Sequence, residues 1–147
     1  MYRSRVPWTS AVANGGVLAP AHLERERPEG AAKPWRVFGK APAETVGAMM
    51  REVVTQGTGR KAEIPGAGIC GKTGTAQAPK GADHSWFTCF TSETQPRIVV
   101  TVLVEHGGFG ARAALPVARD LVEEALRLGI VRSKTWQPPA PAAGGTK

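Results

Sequence analysis

The sequence predicts an α+β fold, in which a small antiparallel sheet has helices packed on it. Three stretches rich in β-branched and aromatic residues follow one another through short connections, which favours antiparallel pairing. These stretches are residues 69–77, 84–91 and 97–105. Two other stretches carry apolar residues at helical spacing, one before and one after the strands. We therefore expect three to five strands and at least two helices.

The two helical stretches each carry a single apolar stripe at i, i+3 and i+4 spacing, so we expect both stripes to be buried. The first helix is predicted from about Ala43 to Gln56, with Pro42 in its first turn and Gly57 at its end. The second is predicted over residues 113–128. The stripes consist of Val46, Met49, Met50, Val53 and Val54, and of Leu115, Ala118, Leu121, Val122, Ala125 and Leu126.

Both ends of the chain are predicted to be flexible. Residues 1–9 are polar and basic, and residues 131–147 are dominated by proline, alanine and glycine, with Trp136 among them. A short helix ending near Ala13 should be stopped by the glycines that follow it. The sequence therefore predicts one folded unit from residue 10 to residue 130.

The residues best suited to chemistry lie on the first predicted strand, Ile69 to Gln77. Lys72 supplies an ammonium group that attracts a carboxylate, and the hydroxyls of Thr73 and Thr75 can orient that carboxylate. Gly74 has no side chain, so a ligand backbone can lie against the strand there. Such a strand is suited to hold an extended, anionic peptide by its edge.

The same letters also fit a phosphate-binding loop, because Gly66 to Thr73 matches the pattern G-x-x-x-x-G-K-[ST]. That pattern requires a buried strand before it and a helix after it. Residues 60–65 are too polar and too short for the strand, and residues 73–81 contain two glycines and a proline. The surroundings favour a peptide-binding strand over a nucleotide-binding protein, and over a Gly-rich hairpin with no chemistry.

Together with its surroundings, Lys72-Thr73-Gly74 resembles the third motif of the penicillin-binding proteins, the serine D,D-transpeptidases of peptidoglycan synthesis. The similarity runs from about residue 10 to residue 128 and includes Ala13–Gly16, Val53–Gly59, His84–Phe90, Glu105–Gly110 and Pro116–Arg119. It implies the C-terminal part of a transpeptidase domain, with the fold that this family shares with β-lactamases. The ligand that it implies is a peptidoglycan stem peptide or a β-lactam, with no metal and no cofactor.

The resemblance also implies roles for single residues. Lys72 would contribute electrostatically, and Thr75 would contact the ligand carboxylate and donate its backbone N–H to the oxyanion. Trp86 would lie nearby on the next strand, and Phe109 in the glycine loop would shape the rim of the cleft. The implied substrate-binding set is Lys72, Thr73, Gly74, Thr75, Trp86 and Phe109.

Two other motifs of that family are missing from the sequence. None of its five serines begins Ser-x-x-Lys, and none begins Ser-x-Asn. In the family, the first motif carries the nucleophile and its lysine, and the second helps to move the proton. We therefore expect the chain to be inactive alone. It would be the substrate side of a truncated or split domain, with the upstream part of that domain as partner, or a non-catalytic binding or scaffold remnant.

The net charge of +7 invites a nucleic-acid hypothesis. The basic residues are spread from Arg3 to Lys147 without a dense run, and aromatic residues are few. We therefore expect no nucleic-acid partner, since a basic surface fits anionic wall polymers or lipid headgroups equally well.

Two cysteines, Cys70 and Cys89, fall on adjacent predicted strands, and two small buried thiols are the favoured interpretation over a disulfide. No metal-ligand spacing is present. Family members are usually anchored outside the cytoplasmic membrane. The N-terminus has arginines but no apolar run that resembles a signal peptide or a membrane helix, so the sequence leaves the localisation unknown.

Overall fold

A computed structural model describes residues 6–21 and 32–138, which form three α-helices, one 3₁₀ turn (Arg60–Ala62) and seven strands. The helices are α1 (Val6–Ala13), α2 (Lys40–Thr55) and α3 (Ala114–Arg127). The strands are β1 (Val17–Leu18), β2 (Trp35–Arg36), β3 (Ile69–Ala76), β4 (His84–Thr91), β5 (Thr94–Gln95), β6 (Val99–Val104) and β7 (Arg132–Ser133). No helix in these two ranges is long and apolar enough to cross a membrane.

The central sheet has three antiparallel strands in the order β3-β4-β6. Its register places Lys72 opposite Thr88, and Thr88 opposite Thr101. The short strands form two separate antiparallel pairs, β1 with β2 and β5 with β7. The sheet with its packed helices is the α+β architecture that the sequence predicts. Within the described residues, β3 and β6 are the two border strands of the central sheet.

Strand alternation gives this sheet two different faces. On the first, called here the α3 face, Phe87, Cys89 and Val100 pack with the buried side chains of α3. On the second, called here the α1 face, Cys70 and Phe90 form a smaller cluster. That smaller cluster also includes Ala13 of α1, with Val12, Met50 and Val99 packed against it. The main hydrophobic core therefore lies on the α3 face, and the α1 face keeps room for polar side chains.

The two apolar stripes are buried less completely than the sequence predicts. Val46 is 42% exposed, Met49 is 59% exposed and Leu121 is 51% exposed. The fully buried residues of α2 are Ala43 and Val54, because only one side of that helix meets β3 and its neighbours. The prediction holds for the rest of α3, where Leu115, Ala118, Val122, Ala125 and Leu126 are buried.

The ends of the described chain are more ordered than predicted. Helix α1 begins at Val6, inside the stretch 1–9 that was expected to be flexible. After α3, Val131 is fully buried, β7 pairs with β5, and Trp136 packs against the main core. The prediction of a disordered tail is therefore wrong for residues 131–138. Residues 1–5 and 139–147 lie outside the described residues.

Candidate functional site

Strand β3 places the predicted binding residues at the border of the sheet. Lys72 and Thr75 are exposed, and Thr73 is half-buried. Because β3 pairs only with β4 among the described residues, its outer edge is not covered by another strand. An edge of this kind is what an extended peptide needs to add itself to a sheet.

The surroundings of Lys72 exclude a phosphate-binding loop. Lys72 lies in the middle of β3, which continues to Ala76, and the chain then turns towards β4. A phosphate-binding loop requires its lysine at the amino end of a helix, where backbone N–H groups surround the phosphate. The nucleotide-binding alternative is therefore wrong for this segment.

The Lys72 side chain folds back along the strand. Its Nζ donates a hydrogen bond of 2.7 Å to the carbonyl oxygen of the neighbouring Thr73. The ammonium is thereby held close to the backbone of β3, although the side chain stays exposed.

A pocket of about 350 Å³ lies over β3 and β4 beside Lys72. It is lined by Thr9, Lys72, Thr73, Gly74, Thr75, Ala76, Trp86, Phe87, Thr88 and Thr101. Five of the six predicted site residues are thus brought together, and only Phe109 is not in its lining. The pocket joins the exposed border of β3 to the polar part of the α1 face.

Three threonine hydroxyls form a chain within this pocket. Thr88 Oγ1 lies 3.0 Å from Thr9 Oγ1 on α1 and 2.7 Å from Thr101 Oγ1 on β6. Sequence reasoning missed all three residues. The register supplies the missing signal, because it sets Lys72, Thr88 and Thr101 in one row across the sheet.

Trp86 lies directly opposite Gly74 in the β3–β4 ladder. A Cβ atom on Gly74 would come within 3.3 Å of the Trp86 Cβ, which is a tight contact even between strand neighbours. The absence of a side chain at Gly74 therefore leaves the indole beside the open part of the pocket.

The glycine loop, residues 107–110, passes over Gly74 and Trp86. A Cβ atom on Gly110 would lie 2.5 Å from the Gly74 carbonyl oxygen and 2.6 Å from that of Trp86. The neighbouring Phe109 is 60% exposed. The loop therefore contacts the site through the Gly110 backbone, while the Phe109 ring lies outside the pocket where we expected it to shape the rim.

Ser85 connects this loop to α3. The buried Ser85 hydroxyl donates to the Phe109 carbonyl oxygen at 3.3 Å and accepts from the Ala114 N–H at 3.0 Å. Ala114 is the first residue of α3, whose preceding residue, Ala113, makes no side-chain cap. Ser85 thus satisfies one of the free N–H groups at the start of the helix from a neighbouring strand.

A second threonine reaches β3 from the turn that follows α2. Thr58 Oγ1 lies 2.9 Å from Thr73 Oγ1. Thr58 was not among the predicted site residues.

A family model of the penicillin binding protein transpeptidase domain matches residues 6–123. This chain belongs to the penicillin-binding protein transpeptidase family. Among its relatives, the peptidoglycan D,D-transpeptidase MrdA of Haemophilus influenzae is 31% identical in an alignment of 99 residues that covers 56% of this chain.

Solved transpeptidase domains share the fold. The D,D-transpeptidase domain of a peptidoglycan glycosyltransferase from Eggerthella lenta superposes with a TM-score of 0.67 at 32% identity, and covers 84% of this chain. Penicillin-binding protein A from Mycobacterium tuberculosis, solved as an imipenem acyl-enzyme complex, gives a TM-score of 0.65 at 30% identity over 82% of this chain.

This chain corresponds to only part of these relatives. It spans 15% of the length of the Haemophilus influenzae protein, 31% of the Eggerthella lenta chain and 29% of the Mycobacterium tuberculosis chain. The family match and the superpositions establish the family and the fold of this chain.

Proposed function

We propose that this chain supplies the peptide-binding strand of a peptidoglycan D,D-transpeptidase domain. In this proposal, the border of β3 binds the carboxylate end of a stem peptide or of a β-lactam. The observation that carries it is the exposed Lys72 ammonium beside a strand edge that no other described strand covers.

The chemistry of β3 supports a carboxylate ligand. A lysine ammonium and threonine hydroxyls can all donate hydrogen bonds to carboxylate oxygens, and bonds to a charged acceptor are the stronger ones. Lys72 and Thr75 are assigned electrostatic and hydrogen-bonding roles, with the Thr75 N–H as one donor to a developing oxyanion. Thr73, Gly74 and Trp86 would complete the contact surface.

The relatives support a β-lactam as an alternative ligand. Penicillin-binding protein A from Mycobacterium tuberculosis holds imipenem as an acyl-enzyme, and this chain has the same fold at 30% identity over the matched part. A β-lactam also carries a carboxylate, so the same border of β3 would bind it.

A complete reaction requires a nucleophile that this sequence does not show. Since no serine begins Ser-x-x-Lys, we assign to this chain substrate binding and oxyanion stabilisation, and to an upstream part of the domain the attack on the substrate. The same absence favours a second candidate function, in which the chain is a non-catalytic binding or scaffold remnant.

Carboxylate binding can be tested by an NMR titration of the full chain with a peptide that ends in D-Ala-D-Ala. The comparison ligand is the same peptide with an amidated C-terminus. We expect chemical-shift changes around β3 with the free carboxylate and much weaker changes with the amide. Lys72→Met should abolish most of this difference, because it removes the ammonium and keeps most of the side-chain volume.

Lys61→Met is the matched control, since it removes the same charge from an exposed residue of the 3₁₀ turn that follows α2. The proposal fails if the amidated peptide binds as well as the free carboxylate. Addition of a second polypeptide that carries Ser-x-x-Lys separates the two candidates. Covalent β-lactam labelling of the mixture that exceeds the labelling of the second polypeptide alone would exclude a remnant, and equal labelling would favour one.

A further inference from the structure

The turn after α2 holds Thr58 in a defined position. The N–H groups of Gly57 and Gly59 both donate to the Val53 carbonyl oxygen, at 3.1 Å and 2.9 Å. A Cβ atom on Gly57 would lie 2.9 Å from that oxygen, and one on Gly59 would lie 3.1 Å from it. The two glycines therefore let the chain close tightly on the end of α2 and leave Thr58 between them, with its side chain exposed.

From this turn the Thr58 hydroxyl reaches Thr73 in β3. The two Oγ1 atoms are 2.9 Å apart across fifteen residues of sequence, so one hydroxyl donates to the other. If Thr58 donates, the Thr73 proton remains available for an acceptor in the pocket that Thr73 lines. Hydroxyls linked in this way also polarise one another, which strengthens the outer hydrogen bond.

We propose that Thr58 is a positioning residue that orients the Thr73 hydroxyl towards the carboxylate of the bound peptide. This inference rests on the function proposed above. It assigns to Thr58 a part in ligand recognition, although Thr58 does not line the pocket. Glycines on both sides of Thr58 are then required to deliver its hydroxyl to β3, in addition to ending α2.

Removing the hydroxyl without changing the shape of the side chain tests this role. Thr58→Val should weaken binding of the D-Ala-D-Ala peptide roughly five-fold, the typical effect of losing one hydrogen bond. Binding of the amidated peptide should not change. Thr58→Ser restores a hydroxyl and should bind within about twofold of the unmodified chain.

Thr55→Val is the matched control. Thr55 is exposed in the last turn of α2, and its hydroxyl bonds only to carbonyl oxygens of the same helix. It should leave the affinity for both peptides unchanged. An equal loss for the carboxylate and the amide in Thr58→Val, or no loss for either, overturns the positioning role and leaves the proposed function standing.

The rotamer of Thr73 without any ligand gives an independent readout. NMR couplings about its χ1 bond should report one dominant rotamer in the unmodified chain and in Thr58→Ser, and averaging in Thr58→Val. An unchanged rotamer in Thr58→Val overturns the inference. If the unmodified chain does not distinguish the two peptides, the proposed function fails, and these couplings alone decide whether Thr58 positions Thr73.

Discussion

Cys70 and Cys89 lie on neighbouring strands but on opposite faces of the central sheet. Cys70 is paired with Phe90, whereas Cys89 is paired with Gly71. The two thiols consequently belong to different hydrophobic clusters, and both are free and buried.

We predict that mild oxidation of the folded chain forms no disulfide between these cysteines, because the sheet backbone separates their side chains. Thiol titration under denaturing conditions after the oxidation should recover both thiols. A disulfide between Cys70 and Cys89 that forms when the folded chain is oxidised would contradict this arrangement of the two thiols.

The stability of the chain should fall at alkaline pH because of Cys89. Burial raises the pKa of this thiol from 9.0 to about 12. Between these values the unfolded chain loses a proton that the folded chain keeps, so each pH unit costs roughly 1 kcal/mol of unfolding free energy. Below pH 9 both states keep the proton and this effect is absent.

Chemical denaturation of Cys89→Ala at a series of pH values checks this. At pH 7 the variant should be less stable, because a buried sulfur has been removed. The difference from the unmodified chain should shrink between pH 9 and pH 12, since the variant has no thiol to ionise. Parallel stability curves for the two proteins would contradict the prediction.

We predict no covalent labelling of this chain alone by a fluorescent β-lactam. Loss of one oxyanion donor typically lowers a rate by about 10²–10³, whereas loss of a catalytic serine lowers it by about 10⁶. The donors on β3 therefore do not compensate for a missing nucleophile. A fluorescent band that survives a denaturing gel would show that a nucleophile is present. A denatured sample of the chain serves as the control for non-specific reaction.

Ser85→Ala should destabilise the chain by about 1–3 kcal/mol, because it leaves the buried Ala114 N–H without its acceptor. Urea unfolding measures the change. Ser92→Ala is the control, since the Gly68 carbonyl oxygen that Ser92 Oγ contacts also accepts from the Ser92 N–H. The control should lose less than about 1 kcal/mol. Equal losses of unfolding free energy in the two variants would contradict the role of Ser85 as the acceptor at the start of α3.

Gly110→Ala should destabilise the chain by about 1–3 kcal/mol, because the added methyl group would overlap the backbone of β3 and β4. Gly47→Ala makes the same chemical change inside α2, where the nearest atom, Phe90 Cζ, is 3.5 Å away. That variant should gain about 0.5–1 kcal/mol from the helix preference of alanine. Thermal unfolding of both variants against the unmodified chain gives the comparison.

The three strands of the central sheet and the ends of α2 and α3 could be predicted from the sequence because their signals are local. Alternating and branched residues mark β4 at His84–Thr91, and glycine marks the end of α2. The burial of an apolar stripe, in contrast, does not depend on local sequence alone. Periodicity places Val46, Met49 and Leu121 on apolar stripes, but the partner surface of each helix decides which part of the stripe is buried.

The segment after α3 also depends on contacts with residues that are distant in sequence. Its composition predicts disorder, yet Ser133 Oγ donates to the carbonyl oxygen of Gly66, which is far away in sequence. Gly66 has a φ of +82°, and a Cβ there would meet the backbone N of Trp136 at 2.6 Å. A close approach of this kind depends on a glycine in a distant turn, so the composition of the segment itself does not reveal it.

Part of the site was also beyond sequence reasoning. The motif identifies Lys72, Thr73 and Thr75 because their chemistry is carried by consecutive letters. Thr9 and Thr58 come from separate elements, and their hydroxyls meet Thr88 of β4 and Thr73 of β3 only after folding. To predict these contacts, one needs the register of the strands and the path of the turn after α2.

The hydrogen bond from Lys72 Nζ to the Thr73 carbonyl oxygen means that a ligand does not meet an unengaged cation. An ammonium has three N–H donors, so a carboxylate in the proposed site would accept from those that the Thr73 carbonyl oxygen leaves available. The internal bond would limit the positions of the ammonium before a ligand arrives, which lowers the entropy cost of binding.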